Sequence, residues 1–157
     1  MDSPAQKYTT CAVLVDKEEV GSIGATGAHS KWFENVIAEL INLQTSYSEL
    51  KVRHALENTK MLSSDVSAGF DPLFAYVNDP KNSAYLGKGI CFNKYTGSRG
   101  KGGCNDAMPE YFAEIRRVLD ENDIHFQTAE LGRVDQGGGG TIAYILANKG
   151  VDVIDCG

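Results

Sequence analysis

Gly137-Gly138-Gly139-Gly140-Thr141-Ile142-Ala143-Tyr144-Ile145-Leu146-Ala147-Asn148-Lys149-Gly150-Val151-Asp152-Val153-Ile154-Asp155 is the stretch on which the fold of this chain turns. A glycine run leads into a helical segment over Thr141 to Asn148, and Val151–Asp155 then reads as a short buried strand. Upstream the alternation repeats. Ile124 to Thr128 reads as a strand, preceded by a helix whose apolar positions are Tyr111, Phe112, Ile115, Val118 and Leu119, with Asn105 or Asp106 as its cap. Gly89-Ile90-Cys91-Phe92 and Lys60–Val66 are further strands, separated by a Pro-, Asn- and Asp-containing loop over 70–87. Tyr95 to Gly103 reads as a loop, Ser48 to Asn58 as a helix. A longer helix begins near Ala28, with Trp32, Phe33, Val36, Ile37, Leu40 and Ile41 on one face. Residues 8–15 give the first strand. Strands alternating with helices predict an α/β fold, a three-layer α/β/α domain with a largely parallel sheet and no internal repeat.

The bulk numbers narrow the function classes. A chain of 157 residues fits one domain with a real core, and 42% hydrophobic with 23% charged residues is ordinary for a soluble protein. A net charge of −6 without a Lys/Arg block argues against nucleic acid as a partner. No apolar run approaches the roughly 20 residues that span a bilayer, so no membrane association is expected. Met1-Asp2-Ser3-Pro4 lacks the basic and apolar regions of a signal peptide. The four cysteines (Cys11, Cys91, Cys104, Cys156) form no CxxC pair and read as reduced thiols, in keeping with a cytoplasmic location.

Candidate chemistry gathers at acidic residues. Glu18 and Glu19 follow the apolar run Cys11–Val15, at a strand end where open α/β sheets place ligands. Two adjacent carboxylates there make sense if one binds a cation while the other handles a proton. Asp65 stands at a second strand end, where an Asp alone is more often a turn former or cap; with Glu18 and Glu19 it offers three hard oxygen ligands that can converge on one crevice. The glycine run, Gly138 and Gly139 at its centre, exposes amide donors ahead of a helix and suits a substrate carbonyl or oxyanion; a flexible hinge is the competing account. Gly21, Gly24 and Gly27 imitate a dinucleotide turn, but Asp16, Glu18 and Glu19 intervene and would repel phosphate. His29, His54 and His125 are isolated, and each reads as a packing or surface residue.

Four ordered motifs then carry a resemblance. Asp16-Lys17-Glu18-Glu19-Val20-Gly21-Ser22, Ser63-Ser64-Asp65-Val66, Lys94-Tyr95-Thr96-Gly97-Ser98-Arg99-Gly100 and Gly132-Arg133-Val134-Asp135-Gln136 with the glycines resemble the aspartyl aminopeptidase and aminopeptidase I family, closest to its bacterial aminopeptidase I-like branch. These are di-zinc metalloaminopeptidases. The resemblance implies Glu18 as general base, Glu19 and Asp65 as zinc ligands, and Lys94 with Gly138 and Gly139 as substrate contacts. It implies a peptide substrate trimmed from its amino terminus, and a homo-oligomer for the full-length enzyme.

The resemblance also implies what lies outside this sequence. The family site needs an upstream His, an upstream Asp bridging two zinc ions and a second His beyond the last strand, and the family carries a dimerisation domain. Residues 1–157 are therefore expected to be a partial catalytic domain holding the base and two of five metal ligands, binding zinc weakly and inactive alone, and a truncated sheet with an exposed edge is expected to self-associate or to fold marginally. Two other functions stay open: a truncated non-catalytic copy or association module, and a nucleotide-binding α/β domain.

Overall fold

In chain order the elements are helices α1 (Trp32–Gln44) and α2 (Glu49–Glu57), strands β1 (Lys60–Ser64), β2 (Ile90–Asn93), β3 (Tyr95–Ser98) and β4 (Gly102–Asp106), helix α3 (Pro109–Glu121), strand β5 (Phe126–Ala129), helix α4 (Ala143–Ala147) and strand β6 (Asp152–Cys156). The computed structural model describes residues 6–98 and 102–157. Met1–Pro4 and the Arg99-Gly100 end of the third motif lie outside the described residues.

Four strands form one sheet in the order β1-β6-β2-β5. β1 runs parallel to β6 with Lys60 opposite Asp152 and Ser64 opposite Cys156, and β2 runs parallel to β5 from Ile90–Phe126 to Asn93–Ala129. β2 meets β6 antiparallel, at Phe92–Cys156 and Asn93–Asp155. The sheet is mixed with mostly parallel pairings, and helices cover both faces, as the alternation predicts.

Strand alternation sorts β6 between two cores. Val153 faces a cluster with Val52 and Leu56 of α2, Ala143 of α4 and, at its margin, Phe33, Ile37 and Ile41 of α1. Ile154 and Cys156 face the other way, onto Phe92, Tyr111 and the α3 residues Phe112, Ile115 and Leu119. That stripe on α3 is the one its sequence spacing predicts; Val118 is instead exposed. Ser48 caps α2, its Oγ accepting from Lys51 N at 3.2 Å.

Three expectations are corrected. Residues 8–15 form no strand; Leu14 is 98% exposed. A strand exists only through ladder bonds to a neighbour, and among the described residues none pairs with this run. Within the expected loop over 95–103, residues 95–98 and 102–103 belong to the antiparallel pair β3–β4, with Tyr95 opposite Asp106 and Thr96 opposite Asn105, and 99–101 lie outside the described residues. Asn105 and Asp106 consequently lie in a strand and do not cap α3. The Asn105 amide instead donates to Val153 O at 3.0 Å, and α3 starts at Pro109 behind Met108. Within 70–87, Pro72–Val77 winds into 3₁₀ turns behind Asp71, whose carboxylate accepts from Leu73 N at 2.8 Å.

Burial therefore separates two apolar runs that look alike in sequence. Ile154→Ala removes a side chain with no exposure and should cost about 2–5 kcal/mol in urea denaturation. Leu14→Ser should change stability by less than about 0.5 kcal/mol; a large loss there would show that residues 11–15 are buried after all.

Candidate active site

Glu18, Glu19 and Val20 form a single 3₁₀ turn, closed by Gly21 N donating to Glu18 O at 2.9 Å. Lys17 and Ser22 flank it with φ of 70° and 57°, left-handed conformations unusual for residues with a side chain. Such backbone costs about 1–3 kcal/mol per residue and concentrates where a loop must aim a functional group. Lys17 O accepts from Ser22 N at 2.7 Å, so the turn is cinched across its base. Asp16 braces its entrance, its carboxylate accepting from Lys17 N at 2.9 Å and Thr26 Oγ1 at 3.2 Å, bonds that lower its pKa. Gly21 and Gly24 take left-handed turn positions, and α1 begins only at Trp32, so the glycines do not form a strand-to-helix phosphate turn.

Burial raises the pKa of the Glu18 carboxyl, and the negative charges of Asp65 and Glu19 push it further the same way. Glu18 and Asp65 are thus electrostatic neighbours. Asp65 follows β1 and is fixed by its backbone: Asp65 N donates to Cys156 O at 3.0 Å. Gly157 packs so closely that a Cβ there would stand 1.9 Å from Asp65 O. The Asp65 carboxylate accepts from Val66 N at 2.6 Å.

Asp65 and the glycine run line one cleft of about 380 Å³, with Val66 to Ala68 beside Asp65 and Leu131, Gly138–Gly140 and Thr141 opposite. The run is held, not a free hinge. A Cβ on Gly137 would lie 2.3 Å from Val77 O, and one on Gly138 (φ 93°) 2.8 Å from Gly97 O. Gly139 alone in the pair Gly138-Gly139 has open space where a Cβ would be. The helix behind the run is shorter than expected: α4 holds five residues and starts at Ala143, so the loop's own amides, not a helix dipole, are what it offers a ligand.

A buried polar group that the sequence analysis did not single out lies under this cleft. Asp155, 2% exposed, accepts from Thr141 Oγ1 at 2.7 Å through Oδ2. Its Oδ1 has no hydrogen-bond partner among the described residues, and neither has Thr96 Oγ1. Burial raises the Asp155 pKa; the hydroxyls of Thr141, Ser63 and Thr96 oppose this, and the Asp65 charge adds to it. The signal was in the sequence: an acid inside an apolar strand run needs an internal partner.

The other candidates are spread out. Lys94, in the turn between β2 and β3, forms an ion pair with Asp106 and does not line the cleft. His29 shares a 3.0 Å hydrogen bond with Tyr144, and His54 lies 3.1 Å from Glu57, both at the surface as expected. Among the described residues no three His, Cys, Asp or Glu side chains come together as a metal would require. Glu19 and Asp65 are hard oxygen donors, but two carboxylates without a histidine do not fit a complete zinc site.

Two outcomes check this geometry. Gly137→Ala should destabilise the chain and disorder the cleft, whereas Gly139→Ala should keep the wild-type fold by NMR chemical shifts. Asp155 has a folded-state pKa above its unfolded one, so the stability it contributes is full below the unfolded value and is lost as pH rises through the folded value. Asp155→Asn should abolish that acid-range slope in urea midpoints, its amide placing a donor toward Thr96 Oγ1. An unchanged slope would assign it to another group.

Comparison with known proteins identifies the family. The family model described as aminopeptidase I zinc metalloprotease (M18) matches residues 2–157. A probable M18 family aminopeptidase 1 of Clostridium acetobutylicum is 67% identical over 151 residues, covering 96% of this chain and 32% of the relative. Its Thermotoga maritima counterpart is 44% identical over 146 residues, covering 92% and 32%. The crystal structure of the Thermotoga maritima M18 aminopeptidase superposes with a TM-score of 0.83 over 91% of this chain and 32% of that one. That of aminopeptidase I from Clostridium acetobutylicum gives 0.76 over 91% and 30%. The chain thus spans about a third of the length of these relatives. It belongs to the M18 family of aminopeptidase I zinc metalloproteases.

Proposed function

We propose that this chain is a segment of the catalytic domain of a zinc aminopeptidase, to which it supplies the proton-transfer carboxylate Glu18 and the ligand carboxylates Glu19 and Asp65. The observation that carries this is the strained turn that aims Glu18 and Glu19, together with the raised pKa of Glu18 next to Asp65. A general base works best with a pKa near the working pH, and burial moves Glu18 in that direction. Its part is to take a proton from the attacking water and return it to the departing amine. Zinc, held with donors from elsewhere in a full-length polypeptide, would supply Lewis acidity. The substrate is a peptide with a free amino terminus, with Gly138, Gly139 and Lys94 as the groups that position it. The reading extends to a cytoplasmic enzyme that assembles as a homo-oligomer.

The absence of a third metal donor among the described residues favours one corollary and one rival. The corollary is that these 157 residues are inactive alone. The rival is a non-catalytic copy that keeps the fold for association. Both are tested by replacing the matching third of the Clostridium acetobutylicum relative with this chain and assaying aminoacyl-nitroanilide hydrolysis with zinc. The hybrid should turn over substrate, and Glu18→Gln should lower kcat by about 10²–10⁴ without changing bound zinc. The isolated chain should show no turnover. A hybrid that binds zinc but stays inactive would support the non-catalytic copy; full activity in Glu18→Gln would remove Glu18 from the chemistry.

A further inference from the structure

We infer that Asp155 is a positioning residue for the glycine loop: its carboxylate clasps Thr141, and Thr141 in turn sets Gly139 and Gly140 against the cleft wall that carries Asp65. The clasp is buried, with Thr141 7% and Asp155 2% exposed. The Thr141 hydroxyl works in both directions, donating to Asp155 Oδ2 at 2.7 Å and accepting from Ala143 N at 3.3 Å, so loop exit and helix start are fixed by one side chain. Among the described residues the backbone of Gly138–Gly140 forms no hydrogen bond of its own, which leaves Thr141 as the loop's polar anchor at this end.

The same strand fixes the opposite wall. Cys156, the residue after Asp155, accepts the Asp65 amide, and Asp155 itself lies opposite Ser63 in the β1–β6 ladder. β6 therefore spans the cleft floor as a ruler, with Asp65 tied to one residue and the glycine loop to its neighbour. A bland core role for Asp155 fits less well. Among the described residues its Oδ1 forms no hydrogen bond of good geometry, with the Ser63 and Thr96 hydroxyls near enough only to favour its charge, and an acid so placed is an unfavourable way to fill a core position that an apolar or amide side chain would fill at lower cost. What Asp155 gives in return is a strong acceptor aimed at the loop.

This inference rests on the aminopeptidase reading only for its effect on substrate. The clasp itself is tested in the 157-residue chain by hydrogen exchange. Thr141→Val, which keeps the shape and removes the hydroxyl, should speed exchange of the Ala143 amide about tenfold, the loss expected of one buried hydrogen bond, while β1 and β6 amides keep their protection. Asp155→Ala should do the same, and Thr141→Ser and Asp155→Asn, which keep the donor–acceptor pair, should restore protection. Unchanged exchange in Thr141→Val, or protection lost across the whole sheet, would overturn the inference. In the hybrid enzyme Thr141→Val should raise KM about tenfold without moving the pH dependence of kcat. An unchanged KM in an active hybrid overturns the link to substrate. A hybrid inactive with native Thr141 and Asp155 counts instead against the aminopeptidase reading, and the exchange result still decides the clasp.

Discussion

The constraint on which the rest of the structure depends is the burial of β6 on both faces and both edges. It pairs with β1 on one side and β2 on the other, while Val153 and Ile154 point into separate cores. From Val153 to Cys156 the strand is buried, so its polar groups depend on partners inside the protein. The Asn105 amide meets Val153 O, Asp65 N meets Cys156 O, and Thr141 meets Asp155. Satisfying β6 thereby brings the β3–β4 pair, the end of β1 and the glycine loop to one place. The cleft is the consequence.

Two physical devices position the candidate residues. The Glu18-Glu19 turn relies on backbone strain, with Lys17 and Ser22 held left-handed and Asp16 bracing the entrance. The glycine loop relies on close approach, its backbone pressed against Val77 and Gly97 where no side chain fits. The first tolerates changes in side chain if the turn survives; the second tolerates none at Gly137 and Gly138, yet leaves Gly139 free on its open side. A loop built this way presents a row of peptide groups held in place by close contact.

Legibility in the sequence tracked how far each segment carries its own partners. Residues 151–155 and the α3 stripe were readable because period and burial coincide, and the helix over 48–58 was readable because its pattern is local. Residues 11–15 have the same apolar character as 151–155 but no ladder partner among the described residues, and pattern alone cannot supply one. The β3–β4 pair was hidden because its glycines and charges resemble a loop, while the strands find their partners in each other and, through Asn105, in β6. Asp65 does stand at a strand end, after β1, whereas Glu18 and Glu19 follow no strand and sit in a 3₁₀ turn of their own, so the placement expected of them at the end of a strand over 8–15 fails with that strand. Asp155 was passed over because it sits within a convincing strand, where the partner that explains it is distant in sequence.

The acids also explain one another. Glu18 is shifted upward first by burial and then by Asp65, and Asp65 contributes to the upward shift of Asp155 as well. Asp65 is therefore the charge that the other two feel, and it is the one locked most firmly by backbone, between Cys156 and Gly157. Holding like charges near one another is unfavourable unless a cation or a proton joins them. A proton on Glu18 relieves part of that repulsion. The fold thus makes the Glu18 proton affinity depend on burial and on Asp65 together, and any cation that neutralised Asp65 would lower the Glu18 pKa.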